Sequence, residues 1–150
     1  MKKFFSLLFF VAIPVVAGGV IGAATAPGDW FATLAKPSFN PPSWVFAPVW
    51  TFLYALIGVA GWMVWRKAPF SAARGLWCVQ MVLNWAWSPV FFTLHAINGA
   101  AMVIVLLLIM IIAFMIAARK VDVRASWFIA PYAAWVAFAS ALNIAIALLN

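Results

Sequence analysis

The sequence predicts an all-α membrane protein: a five-transmembrane-helix bundle with a structured loop between its first and second helices. Three observations predict it. The chain of 150 residues is 69% hydrophobic and only 7% charged, whereas a soluble domain carries about 25% charged residues. Its charges cut it into uncharged runs long enough to cross a bilayer. Its basic residues fall on alternate connections, which is the signature of membrane topology. Length and the lack of internal repeats give a single domain over 1–150.

The first span, about 4–25, lies in the uncharged run from Phe4 to Gly28. "MKKFFSLLFFVAIPVVAGGVIGAATA" also has the layout of a secretory signal peptide, with a basic start and Ala24-Thr25-Ala26 as a cleavage site. Its apolar stretch is longer than a usual signal core, and Gly18-xxx-Gly22 offers a flat face for close helix packing. The segment therefore reads as a retained helix, with cleavage as the rival. The first loop, roughly 26–42, opens on "GDWF", where Asp29 is placed to cap a short turn and Trp30 to sit at headgroup depth. It continues into "AKPSFNPPSWVFAPVWTFLY", which sets Pro37, Pro41, Pro42 and Pro48 among aromatic rings and leads into a second span at 43–66. The run from Gly75 to Ala118 spans about 44 residues, about 66 Å of helix, roughly twice the apolar thickness of a bilayer, so it must fold back. His95 and Asn98-Gly99 mark the turn, giving spans at 72–94 and 98–119. The fifth span covers 124–148. Pro14, Pro48, Pro89 and Pro131 lie within spans one, two, three and five, where proline frees a carbonyl and kinks a helix. The fourth span is apolar all round and reads as a supporting wall.

With five spans, Lys2, Lys3, Arg66, Lys67, Arg74, Arg119, Lys120 and Arg124 share one side and Lys36 alone lies on the other. The positive-inside rule then puts the N-terminus in the cytoplasm and the C-terminus outside. The net charge of +7 is thus topology, not a nucleic-acid-binding face. An α-helical span set favours an inner membrane, with an outer membrane as the alternative. Asp29 and Asp122 both lie in loops, which excludes a carboxylate relay inside the spans. One histidine and one cysteine do not make a metal site. No nucleophile–base pair or phosphate loop is visible, so no catalytic residue, metal or required cofactor is assigned and the chain reads as a non-enzyme. Cys78 reads as a small buried hydrophobe. Trp62, Trp65, Trp77 and Trp127, near span ends, read as interface anchors.

What remains is aromatic and amide chemistry. Trp50, Tyr54, Gly58 and Gly61 share one face of the second span; Gln80, Asn84, Trp87 and Phe91 share one face of the third; Tyr132, Trp135, Ala139 and Asn143 share one face of the fifth. An amide facing lipid has no partner, so these faces point inward. Rings plus a few amides describe a pocket for a large, flat, mostly apolar ligand. Ordinary helix packing, with amides as interhelical glue, is the competing reading.

"WFATLAKP", "AKPSFNPPSWVFAPVWTFLY", "VLNWAWSPVFF" and "PYAAWVAFASALN" occur in an order that resembles the TspO/MBR family, the tryptophan-rich sensory or translocator proteins once called peripheral benzodiazepine receptors. The resemblance implies a five-helix bundle, usually a homodimer, that binds porphyrins such as protoporphyrin IX and haem, and also sterols and synthetic isoquinoline and benzodiazepine ligands. It places the ligand among the first, second, third and fifth helices, beneath the first loop. Carried over by motif, the ligand-binding residues are Phe46, Trp50, Tyr54, Asn84, Trp87, Trp135, Ala139, Leu142 and Asn143. The family usually has Trp where this chain has Phe39, and often Tyr where it has Phe31. Ile144 follows Asn143 where animal members carry a sterol-associated Tyr, so cholesterol transport is not implied. Because proline lowers the entropy cost of ordering a loop, Trp30, Pro37, Phe39, Pro41 and Pro42 are read as a stiff lid. The leading expectation is a tetrapyrrole receptor or sensor that tunes tetrapyrrole or stress metabolism. The alternatives are a passive porphyrin or sterol translocator and a light-dependent porphyrin-degrading protein.

Overall fold

The computed structural model describes residues 2–150, with side chains from residue 3 onward, so the Lys2 ammonium lies outside the described groups. Among these residues the order is α1 (Lys2–Ala24), α2 (Asp29–Thr33), α3 (Phe46–Lys67), α4 (Ala72–Ser88), α5 (Ile97–Arg119) and α6 (Val123–Leu149), with no strand. A 3₁₀ turn at Ser43–Val45 leads into α3 and a π turn at Pro89–Thr93 follows α4. Four helical segments, α1, α3 with its 3₁₀ turn, α5 and α6, are long and apolar enough to cross a membrane.

The stretch expected as a single span at 72–94 is an α-helix only to Ser88. Pro89 has no N–H to give to the preceding turn, and the register slips by one residue. Leu94 N–H then donates to the Pro89 carbonyl at 3.0 Å, the i→i+5 bond of a π turn. His95 follows with φ 55°, a left-handed conformation more usual for glycine at a helix end. The chain reverses there, and Asn98-Gly99, expected in the turn, already belongs to α5.

The long helices form a closed ring: α1 packs on α3, α3 on α6, α6 on α5, α5 on α4, and α4 returns to α1. α1 and α3 approach closely at Gly58, where a Cβ would lie 2.5 Å from the Phe10 carbonyl oxygen and 2.6 Å from Val11 Cα. Gly18 seats a side chain rather than a helix, since a Cβ there would overlap the Tyr54 ring, and Gly22 meets nothing within 4 Å. The core joins Leu53, Ile57 and Val64 of α3 to Leu107, Ile111 and Phe114 of α5 and Ile129, Tyr132 and Val136 of α6. Phe4, Phe5, Phe9, Val16 and Val20 of α1 and Met102, Ile109 and Ile116 of α5 point outward, as a lipid-solvated surface permits.

Two readings of the third span are corrected by this packing. Trp77 is buried, not an interface anchor. Its indole N–H donates to the Ile57 carbonyl at 3.0 Å, and its ring occupies the space left by the missing side chain of Gly61. Cys78, expected inside, is exposed, because α4 turns Ala73, Trp77, Gln80, Met81 and Asn84 inward and leaves the opposite side out. Trp62 and Trp65 are half-buried: Trp62 donates to Ser6 Oγ at 2.9 Å and Trp65 packs edge-on against Phe10. Trp127 is exposed.

The two ends differ in chemistry. At one, Lys67 Nζ lies 2.7 Å and Arg124 Nε 3.2 Å from the Asp122 carboxylate, and Arg66 and Arg74 lie over the rings of Trp62 and Trp65. At the other, the loop holding α2 folds back onto the bundle, and the hydroxyls of Thr25, just past α1, and Ser88, the last residue of α4, are hydrogen-bonded.

Candidate ligand site

Halfway along the ring, α3 contributes Trp50 and Tyr54, one turn apart; α4 contributes Asn84, and α6 contributes Tyr132. Tyr54 O–H donates to Asn84 Oδ1 at 2.7 Å, and Asn84 Nδ2 donates to the Tyr132 hydroxyl at 2.9 Å. The Trp50 ring tilts over Tyr54 with centroids 5.4 Å apart and meets Tyr132 edge-on at 6.2 Å. An amide in the apolar layer needs partners, and Asn84 finds both across the bundle, on α3 and α6. One turn away on α4, Gln80 is fully buried and neither of its amide atoms has a partner among the described residues.

A second cluster lies nearer the loop. Trp87 Nε1 donates to Asn143 Oδ1 at 2.9 Å, and Asn143 Nδ2 donates to the Ile97 carbonyl at 3.2 Å. The π turn brings Phe91 into a stack with Trp87, centroids 5.3 Å apart at 24°. Trp30 and Phe31 meet Phe91 edge-on at 5.8 and 6.0 Å, and Leu142, Ile146, Phe46 and Leu34 complete the same apolar group. Phe46 meets Trp135 edge-on at 5.9 Å. The indole N–H of Trp135 is buried, with no partner among the described residues.

The first loop is tied down at several points. Trp30 is not a free interface anchor: it stacks on His95 with centroids 4.0 Å apart at 15°. Phe39 is 49% exposed and touches Phe138 edge-on at 6.2 Å. The Asn150 side chain pairs with both backbone groups of Ala35, accepting from its N–H at 3.0 Å and donating to its carbonyl at 3.0 Å. Asn40 N–H donates to the Pro37 carbonyl at 3.0 Å; Pro37 and Pro41 are half-buried and Pro42 is exposed.

Of the residues proposed from the sequence, Trp50, Tyr54 and Asn84 thus meet in the first cluster, and Phe46, Trp87, Trp135, Leu142 and Asn143 meet in or beside the second. Ala139 is half-buried against the main core. Two open grooves of about 420 and 390 Å³ lie on the outer surface, and none of these residues lines them. Tyr132, Phe91 and Gln80, which spacing puts on inward faces but which the family motifs do not add to the ligand set, join these clusters or lie beside them. Phe31 and His95 carry no periodic signal, because they join the site only through loop closure.

The sequence profile of the TspO/MBR family matches residues 10–149. The chain belongs to the TspO/MBR family. It is 41% identical to the tryptophan-rich protein TspO of Chlorobaculum tepidum over 129 residues, 83% of this chain and 82% of that one. It is 37% identical to the protein CrtK of Rhodobacter capsulatus over 147 residues, 95% of this chain and 91% of that one. It is also 37% identical to the translocator protein of Bos taurus over 142 residues, covering 89% and 83% of the two chains. TspO/MBR membership and the long apolar helices make this a multi-pass membrane protein.

Proposed function

We propose that this TspO/MBR chain crosses the membrane five times and is a receptor or sensor for a flat hydrophobic ligand of the tetrapyrrole class, protoporphyrin IX or haem. α4 and its π turn, Ala72 to Thr93, amount to about 22 residues and about 33 Å of helix, enough to serve as the third crossing. The cationic end faces the cytoplasm on the positive-inside rule.

One observation supports the reading: Trp50, Trp87 and Trp135, from three helices, are each partly buried against the bundle core, and two interhelical amides, Asn84 and Asn143, lie in the same two clusters. The amides of Asn84 and Asn143 are bonded within the protein, whereas the buried Trp135 N–H is not. A guest that supplies an acceptor to Trp135 and stacks on the indoles gains contacts the free protein does not have. Entry requires the Tyr54–Asn84 contact or the loop to yield. Interhelical hydrogen bonds of this type are worth about 0.6 kcal/mol each, so the Tyr54–Asn84 bond yields at modest cost.

The test is tryptophan-fluorescence quenching titrated with protoporphyrin IX. Wild type is expected to quench saturably, and Trp135→Phe and Asn143→Ala to bind about 5-fold or more weakly, roughly the loss of one hydrogen bond. Non-saturating quenching, or equal affinity in all three proteins, refutes the site. The name of the bovine relative, translocator protein, favours a second reading, passive movement of the ligand. Porphyrin flux into sealed vesicles separates the two, since binding without flux fits the sensor alone.

A further inference from the structure

We propose that the groove between α4 and α5 at the cationic end is a binding site for an anionic phospholipid, with Lys120 holding the headgroup phosphate and one acyl chain lying along α5. The groove has a volume of about 420 Å³ and is lined by Ser71, Ala72 and Ala73 on one side and by Ala113, Ile116, Ala117, Lys120 and Val121 on the other. That volume falls in the range of sites that bury a small ligand. Its polar members sit at one end. From Lys120 the lining runs back along α5 to Ala113, a rise of about 10 Å. A charged head therefore leads into an apolar trough, in the sense that a lipid requires.

Charge decides the class of lipid. Asp122 is the one acid at this end, since Asp29, the other acid of the chain, lies in the first loop. The Asp122 carboxylate is already occupied by Lys67 at 2.7 Å and Arg124 at 3.2 Å. Ser71 Oγ is likewise spent, donating to the Ala68 carbonyl and accepting from Arg74 N–H. Lys120 is exposed; its backbone N–H donates to the Ala117 carbonyl at 3.2 Å, and among the described residues its ammonium has no ion-pair or hydrogen-bond partner. An anionic headgroup is the lipid complement to an unpaired ammonium beside an apolar trough, since it can pair with the charge while its acyl chain fills the trough. Basic pockets between membrane helices recognise such headgroups.

The experiment is native mass spectrometry of the full chain released from detergent, titrated with phosphatidylglycerol or phosphatidylcholine. Wild type is expected to retain one phosphatidylglycerol at least 5-fold more than phosphatidylcholine. Lys120→Gln should abolish the preference. Ala117→Phe should reduce retention of phosphatidylglycerol by filling the trough, and Ala113→Phe fills the same trough should the first variant fail to fold. Lys36→Gln, which removes an equal charge at the opposite end, should leave the preference intact. Equal retention of the two lipids by wild type, undiminished retention by a folded trough-filling variant, or equal loss with Lys36→Gln overturns the site.

Discussion

At the scale of single residues, the two buried amides of α4 behave oppositely. Asn84 joins two hydroxyls, accepting from Tyr54 and donating to Tyr132. Asn84→Leu orphans both hydroxyls in a low-dielectric interior and is expected to cost about 1–3 kcal/mol. Gln80 is equally buried but bonded to nothing, so Gln80→Leu removes an unmet desolvation cost and is expected to be neutral or to stabilise by about 1 kcal/mol. Thermal melts of the two variants in one detergent check the contrast; a similar loss in both contradicts the assignment. Both amides sit on the inward face that helical spacing gives. Spacing does not distinguish them, because whether an amide finds a partner depends on residues about 30 and 48 positions away in the chain, here Tyr54 and Tyr132.

At the scale of elements, the contacts between helices depend on a few small residues. Gly58 lets α1 and α3 touch backbone to backbone. Gly58→Val drives a side chain into the Phe10 carbonyl and Val11 Cα, and overpacking of this kind costs about 1–3 kcal/mol. Gly75→Val, where nothing lies within 4 Å, is the matched control and should melt with wild type. Melting both by loss of the helical circular-dichroism signal tests the crossing, and equal behaviour refutes it. The glycine pair legible in the sequence was Gly18-xxx-Gly22, yet the close helix contact falls on Gly58, and Gly18 accommodates a tyrosine ring instead. The motif shows that a flat face exists; the partner helix determines which glycine meets backbone. Likewise Pro89 signalled a break inside the third span, but the π turn it produces, and the stack of Phe91 on Trp87, follow from a register slip that local propensity does not encode.

At the scale of the whole molecule, the bundle is polarised, with cations at one end and the aromatic loop at the other. Asp122 links three helices at the cationic end: it caps α6 through Arg124 N–H at 3.1 Å and pairs with Lys67 of α3 just after α5 ends. Hydrogen bonds from Arg124, then from Lys67, hold its carboxyl below the usual carboxylate range. With the folded value lowered, this contribution to stability is full above the unfolded carboxylate pKa of about 4 and is lost as pH falls through the folded value. The melting temperature is therefore expected to hold from neutral pH to about pH 5 and to decline below about pH 4, with Asp122→Asn less stable at neutral pH and flatter across the acid range. An identical acid profile in wild type and variant removes Asp122 from this role.

The sequence by itself determined the helical class, the membrane setting, the unequal distribution of cations and the faces that turn inward. Hydropathy, charge and the 3.6-residue period are properties of one segment at a time, and Trp50, Asn84 and Trp135 announce their faces without reference to any other helix. Tertiary structure decided the rest: that Trp77 is core and Cys78 surface, that Asn84 is bonded while the Trp135 N–H has no partner among the described residues, that Trp30 stacks on His95, and that Lys120 lines the groove between α4 and α5. Each of these depends on which distant residues arrive within a few ångströms, and hydrogen bonding, close packing and ion pairing are too short-ranged to be read along a single strand of letters.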